Sequence, residues 1–252
     1  MHLNLLSPDW KRAPEQPGLE PHQIHLWLAQ VDAVCQPQLQ KLSCYLSQDE
    51  QQRAAKFHSA QHRQRFIANR GIVRSLLGRY LHCHPQAVAF SYGAYGKPLI
   101  ANPNHQLGLQ FNVSHSDRLS LIAIAQQRQV GIDLEQHRVL TDLNALAQRF
   151  FTVNEYAAIQ ALPDIQKPSA FFQYWTGKEA LLKGLGVGLS GLSQIELNIT
   201  PGQVGWVTPK ASRLSQQEWI VELFTPAPDF TGAIAIETKH PIEIAYWQWS
   251  EG

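Results

Sequence analysis

A helical period followed by closely spaced strand patterns occurs twice along this chain, and that order narrows the folds open to it. In the first pass "IHLWLAQV" alternates as a strand does and "QPQLQKLSCYLSQDEQQRAAKF" holds a helical turn or two. Phe66, Val73, Leu76, Leu77 and Tyr80 then recur at helical spacing through "HRQRFIANRGIVRSLLGRYL". "VAFSYGAYGKPLI" reads as strand, turn and short extended segment, and "QFNVSHSDRLSLIAIAQQRQVGIDLE" as loop, strand, short turn and strand. In the second pass a helical region at about 142–162 and a Pro-bounded helix at about 169–185 lead through a Gly-rich loop to "QIELNI", "EWIVELF", "TGAIAIE" and "IEIAYWQW". Helix and sheet segments in each half, with short connections between strands, predict an α+β fold with antiparallel sheets. No repeat is visible at the level of identical residues.

The chain has 252 residues and a formal charge of +1, but the charges are unevenly spread. Between Gln51 and Ser116 there is no Asp or Glu, while Arg53, Lys56, Arg63, Arg65, Arg70, Arg74, Arg79 and Lys97 bring +8, leaving −7 for the rest. One half is built to meet anions and the other holds the acids. No run of about 18 apolar residues occurs, so no membrane span is expected. Pro, Asp and Lys interrupt the first 20 residues before a signal-peptide core forms, so a cytoplasmic protein is expected. Three scattered cysteines suggest neither a disulfide framework nor a zinc site.

Two motifs carry the sharpest chemistry. In "VGIDLE" strand alternation sends Asp133 and Glu135 to one face and Ile132 and Leu134 to the other. Paired carboxylates on an apolar strand need a cation or donors, and oxygen-only ligands suit Mg²⁺ or Mn²⁺; the alternative is a strand with one polar, solvated face. In "WTGKEALLK" a helix puts Glu179 beside Lys183 and Trp175, which an exposed ion pair worth only ~0.3–0.5 kcal/mol would equally explain. Two further stretches are weaker. Asn112, Ser114, His115 and Ser116 of "FNVSHS" read as turn formers whose N–H groups can hold phosphate oxygens, and "YGKP" fixes Lys97 beside a rigid turn.

Taken in order, "GKP", "FNVSHS", "GIDLE", "FFTVNEY" and "WTGKEALLK" resemble the Sfp-type 4'-phosphopantetheinyl transferases over about residues 47–192. The resemblance implies a pseudo-dimer of two similar α+β halves, a 4'-phosphopantetheinyl transferase-like fold, with coenzyme A in the cleft between them. The halves are expected at 1–127, basic and phosphate-binding, and 128–252, carrying the metal-binding acids and the base-bearing helix. It implies an Mg²⁺-dependent holo-[acyl-carrier-protein] synthase, a monomer. The enzyme would move the 4'-phosphopantetheine of coenzyme A onto a serine of an apo acyl or peptidyl carrier of fatty acid, polyketide or peptide synthesis. Asp133, Glu135 and Glu179 match the metal ligands, and Lys97, Ser114, His115 and Lys183 match the coenzyme contacts. Glu179 is the candidate base, with Lys183 one turn on to reach the leaving phosphate; Lys178 has no assigned chemical role.

One position departs from the family pattern. After "LSQDE" members often carry two lysines for the 3'-phosphate, whereas here Glu50 takes the first place and Arg53 the second. An acid there would repel the phosphate, which shifts the expected grip to Arg53, Lys56 or Arg65. Two other classes compete. A nucleic-acid-binding protein would explain the basic segment 51–116 but leave Asp133, Glu135 and Glu179 idle. A non-catalytic carrier-binding module would leave the acids and Lys183 without a purpose. No nucleic-acid or membrane partner is therefore expected.

Overall fold

The computed structural model describes residues 5–101, 108–199, 206–207, 210–211, 218–238 and 241–250. Strand β1 is Lys11–Arg12, β2 Gln23–Gln30, β3 Phe90–Tyr92, β4 Pro98–Ile100, β5 Leu109–Ser116, β6 Leu119–Gln126 and β7 Val130–Gln136. Strands β8 (Ile195–Glu196), β9 (Trp206–Val207), β10 (Lys210–Ala211), β11 (Trp219–Phe224), β12 (Phe230–Glu237) and β13 (Glu243–Gln248) follow. The helices are α1 (Gln36–Tyr45), α2 (Gln48–Ala55), α3 (Ala60–Leu81), α4 (Leu143–Phe150), α5 (Val153–Gln160) and α6 (Lys167–Leu185).

Two sheets stack back to back between two long helices. The first has the order β1-β13-β2-β6-β5 and the second β7-β12-β11-β9. Alternation along β2 explains the layering: Ile24, Leu26 and Leu28 face Val130, Ile132, Leu134, Ile234 and Ile236 of the second sheet. Trp27 and Ala29 turn the other way, against Ala68, Ile72, Leu76 and Tyr80 of α3. In the second half Phe172, Ala180, Leu181 and Leu182 of α6 pack on Trp219, Val221, Leu223, Ala233 and Ala235. The result is a helix–sheet–sheet–helix sandwich, the α+β architecture expected from the sequence.

The long helices start and stop for identifiable reasons. Ser59 caps α3 by accepting from the His62 N–H, and His82 ends it in the left-handed region at φ 51°. Pro168 opens α6, and Gly186 at φ 68° closes it. Ahead of α6, "FFTVNEY" is a helix boundary rather than one continuous helix: Thr152 caps α5, and Glu155 reaches back to the Thr152 N–H at 2.8 Å.

The chain ends cross between the halves. Strand β13 runs parallel to β2 and β1, adding the last strand of the chain to the first sheet. At the other end Leu6 bridges Phe224, and the Trp10 indole donates to the Pro226 carbonyl at 3.1 Å, so the N-terminal segment lies on the second half. Among the described residues all other pairings in the two sheets are antiparallel. The segment read as a helical turn or two is two helices, α1 and α2. Of "QIELNI" only Ile195–Glu196 pairs as a strand. Among the described residues no helix is long and apolar enough to cross a membrane.

Candidate active site

The site begins with a glycine. Gly131 on β7 lies so close to α6 that an added Cβ would fall on the Ala180 carbonyl and the Gly184 nitrogen. With no side chain at 131 the strand and helix touch backbone to backbone. Two and four residues along the same strand face come Asp133 and Glu135, and from α6 Glu179 and Lys183 meet them. Lys183 Nζ lies 2.5 Å from Asp133 Oδ1 and 3.8 Å from Glu179 Oε2, the one-turn neighbour the helix spacing predicted.

The first half supplies β5. "FNVSHS", read from sequence as a loop of turn formers, is a strand. Its polar residues alternate, and the side chains of Asn112, Ser114 and Ser116 all turn to β7. Asn112 Oδ1 accepts the Ile132 N–H at 2.8 Å and Ser116 Oγ accepts the Gln136 N–H at 3.1 Å. Between them Ser114 Oγ donates to Asp133 Oδ1 at 2.9 Å and accepts from Lys183 Nζ at 3.1 Å. Side chains thus replace a backbone ladder at the junction, which is why these residues mimic a turn in composition. Asn112 and Ser116, the residues that dock the halves, are identifiable only by their period of two.

Burial and crowding set the charges. Glu179 is pushed up to about 7, first by burial and then by the Asp133 charge, with Lys183 and the Trp175 indole pulling the other way. Glu135 is raised by burial and by Asp133. Lys183 is held above its ordinary value: burial opposes its charge, but Asp133, Glu179 and Glu135 outweigh it. Three carboxylates face one ammonium, an excess of up to two negative charges.

Among the described residues no group of three or more His, Cys, Asp or Glu side chains stands as a ready metal cage. The donor set nevertheless fits a hard divalent cation. Among the described residues Asp133 Oδ2 is buried without a hydrogen-bond partner, and the excess charge matches one such ion. Mg²⁺ typically takes one or two carboxylates and completes its shell with water and substrate phosphate.

A cavity of about 290 Å³ is lined by residues that include Arg53, Phe66, Arg70, Tyr92, Val113 and His115, the last two flanking Ser114 along β5. His115, next to Ser114 but on the opposite face of β5, is held below its ordinary value by surrounding protein and by Lys183. The other expected cations lie elsewhere. Arg65 is tied to Asp32 at 2.5 Å and Asp117 at 3.0 Å, and Lys56 is exposed at the end of α2, away from the cavity lining. Lys97 Nζ donates to the carbonyls of Val130 at 3.2 Å and Gly184 at 3.3 Å, bridging the halves, and burial pulls it down to about 8. Glu50 does not face a ligand: it is 3 % exposed and paired with Arg70 at 2.8 Å and Arg74 at 2.6 Å. Arg70 was absent from the sequence-derived set, since nothing local marks one arginine of a basic helix as cavity-facing.

A site assembled from two α+β halves, with acids on one strand and a Glu/Lys helix turn opposite, is the arrangement expected of a phosphopantetheine transferase. Comparison with known families agrees. The family model described as "4'-phosphopantetheinyl transferase superfamily" matches residues 129–236, and that described as "4'-phosphopantetheinyl transferase, N-terminal" matches residues 33–127. The chain belongs to the 4'-phosphopantetheinyl transferase superfamily. It is 41% identical over 232 residues to 4'-phosphopantetheinyl transferase HetI of Nostoc sp., covering 92% of this chain and 95% of that one. It is 28% identical over 156 residues to 4'-phosphopantetheinyl transferase Sfp of Bacillus subtilis, covering 62% and 66%. Among solved structures, a holo-(acyl-carrier-protein) synthase from Bacillus anthracis in complex with CoA has 19% identity and a TM-score of 0.37, covering 43% of this chain and 94% of that one.

Proposed function

We propose that the cleft transfers 4'-phosphopantetheine from coenzyme A to a serine hydroxyl of an apo carrier protein, releasing 3',5'-ADP. The observation that carries this reading is the single cluster of Ser114, Asp133, Glu179 and Lys183, drawn from both halves. The serine oxygen forms a bond to the phosphorus bearing pantetheine, and the bond from that phosphorus to the ADP oxygen breaks. Glu179 takes the serine proton, as a carboxylate at the cleft wall is suited to do. Lys183, released from Asp133, neutralises charge on the departing phosphate. Ser114 and His115 orient the pyrophosphate. Asp133, Glu135 and Glu179 are the residues that would hold Mg²⁺ or Mn²⁺, which when bound supplies charge neutralisation on the pyrophosphate. Because both halves of the site come from one chain, the working form is taken as a cytoplasmic monomer with halves meeting near 127/128. The carriers considered are those of fatty acid, polyketide and peptide synthesis.

The test is intact-mass analysis of a panel of apo carriers incubated with the protein, coenzyme A and Mg²⁺. One phosphopantetheine gained on a serine is the expected result, and chelation should abolish it. Unmodified carriers throughout would overturn the reading, and undiminished turnover in excess chelator would overturn the metal's part in it.

A further inference from the structure

Among the described residues Lys97 pairs with two carbonyls and no carboxylate: its ammonium donates to Val130 at 3.2 Å and to Gly184 at 3.3 Å. Both carbonyls lie at one point of the fold, the crossing of β7 and α6, where an added Cβ on Gly131 would fall on the Ala180 carbonyl and the Gly184 nitrogen. A Cβ on Gly184 would in turn meet the Trp219 ring, so neither glycine leaves room to spare. Gly184 also belongs to the last turn of α6, where helix carbonyls lose their own partners. The Gly186 N–H takes the carbonyls of Leu182 and Lys183, and Lys97 takes that of Gly184. A cation at this end of a helix also complements its dipole.

Lys97 comes from the other half, at the turn of the β3–β4 hairpin. The turn is fixed by the Gly93 N–H donating to the Lys97 carbonyl and the Gly96 N–H to the Gly93 carbonyl, both at 2.9 Å, with Gly96 at φ 78°. Tyr92, Gly96 and Pro98 of this hairpin line the cavity, whereas Lys97, between the last two, is not part of the lining and reaches the crossing instead. Tyr95 reaches the second half as well, since a Cβ on Gly188 would come within 2.9 Å of its ring. The hairpin thus walls the cavity on one side and holds the α6–β7 crossing on the other. Lys183 directly precedes Gly184, and Asp133 lies three residues beyond Val130, so the two hydrogen bonds act on the backbone that sets the acids of β7 against the Glu179–Lys183 turn. Misplacing reacting groups by about 1 Å can cost ~10²-fold in rate. Resting on the transferase reading above, we propose that Lys97 is a positioning residue and not a coenzyme contact: it fastens the base-bearing helix to β7 and ties both to the hairpin wall of the cavity. Filling the cavity then firms the crossing, and with it the placement of Glu179.

The test combines carrier-loading kinetics, calorimetric titration with 3',5'-ADP, and hydrogen exchange of the amides of 180–188. Lys97→Met keeps the length of the stem and removes the donors. It should lower kcat by about 10- to 100-fold, while KM for coenzyme A and Kd for 3',5'-ADP stay within about 3-fold of the wild type. Lys97→Arg, which keeps charge and donors, should recover part of kcat. Exchange at 180–188 should quicken in Lys97→Met, and 3',5'-ADP, which slows it in the wild type, should have no such effect in the variant. Should Lys97→Met fail to fold, Tyr95→Ala, a change at an exposed ring, should still lower kcat by a few-fold and weaken the effect of 3',5'-ADP on exchange. A loss of 3',5'-ADP affinity as large as the loss in kcat overturns the proposal, because it makes Lys97 a coenzyme contact. Unchanged kcat and unchanged exchange in the folded variants overturn it as well. A wild type that loads no carrier, yet shows the exchange pattern and its loss in Lys97→Met, would count against the transferase reading and for the clamp.

Discussion

At the scale of the residue, Glu179 divides an ion pair from a base. As only a surface partner of Lys183, its replacement by Gln would change stability by a few tenths of a kcal/mol and leave turnover intact. As the proton acceptor, Glu179→Gln is expected to lower kcat by ~10²–10⁴-fold while affinity for coenzyme A falls much less. Rates at saturating carrier, coenzyme A and Mg²⁺ decide between them, since a lost metal ligand recovers partly as Mg²⁺ is raised and a lost base does not. Asp133→Ala strips Lys183 and Ser114 of their shared acceptor as well, so it should weaken nucleotide binding and Mg²⁺ response together.

At the scale of the element, Lys178 shows how a helix can carry a charge inward. It is fully buried on α6, 2.5 Å from Glu155, and its ammonium lies over the Phe151 ring at 5.2 Å. Glu155 also accepts the Leu197 N–H at 2.8 Å, tying the α5 cap, α6 and the segment after β8 together. Lys178→Met should cost about 3–5 kcal/mol in denaturant unfolding, because it leaves a buried carboxylate unpaired, whereas kcat of the folded protein should change by only a few-fold. A large kcat loss with intact stability would mean that Lys178 serves the cleft after all. Gly131→Ala should act the other way. Its Cβ cannot fit beside Ala180 without parting β7 from α6, so turnover should fall even where the protein still folds, with about 1–3 kcal/mol lost to overpacking.

At the scale of the whole molecule, the first sheet is stabilised through an inward-facing polar group on β2. His25 is 2 % exposed, its Nδ1 lies 2.6 Å from the Tyr80 hydroxyl of α3, and Trp247 of β13 packs on its ring. Burial pulls it down to about 4, with Glu243 opposing. Above pH ~6.5 the imidazole is neutral in folded and unfolded chains alike, so its full contribution is present. Between that value and about 4 the unfolded chain gains a proton that the folded one refuses, and stability falls, by an amount on the order of 3 kcal/mol. Unfolding midpoints at pH 7.5 and 5 should therefore converge in His25→Gln relative to the wild type; an unchanged gap would assign the loss to other groups.

Much of this was legible in the sequence because it is written in short periods. The 3.6-residue recurrence from Phe66 to Tyr80 gives α3, alternation in "VGIDLE" sends Asp133 and Glu135 to one face, and four-residue spacing sets Glu179 beside Lys183. Each follows from backbone geometry within a few residues. Tertiary structure alone decided which charges are spent and which are free. Glu50 and Arg74 are 24 residues apart, Arg65 and Asp32 33 apart, and Lys178 and Glu155 23 apart. No local period links such partners, so whether an arginine faces a carboxylate or a cavity depends on how the layers stack. The same holds for β13, which joins β2 rather than its own half, and for "FNVSHS", whose polar face became a strand junction only when β7 came alongside. Sequence fixed the residues that line up; packing selected those left with an unmet charge.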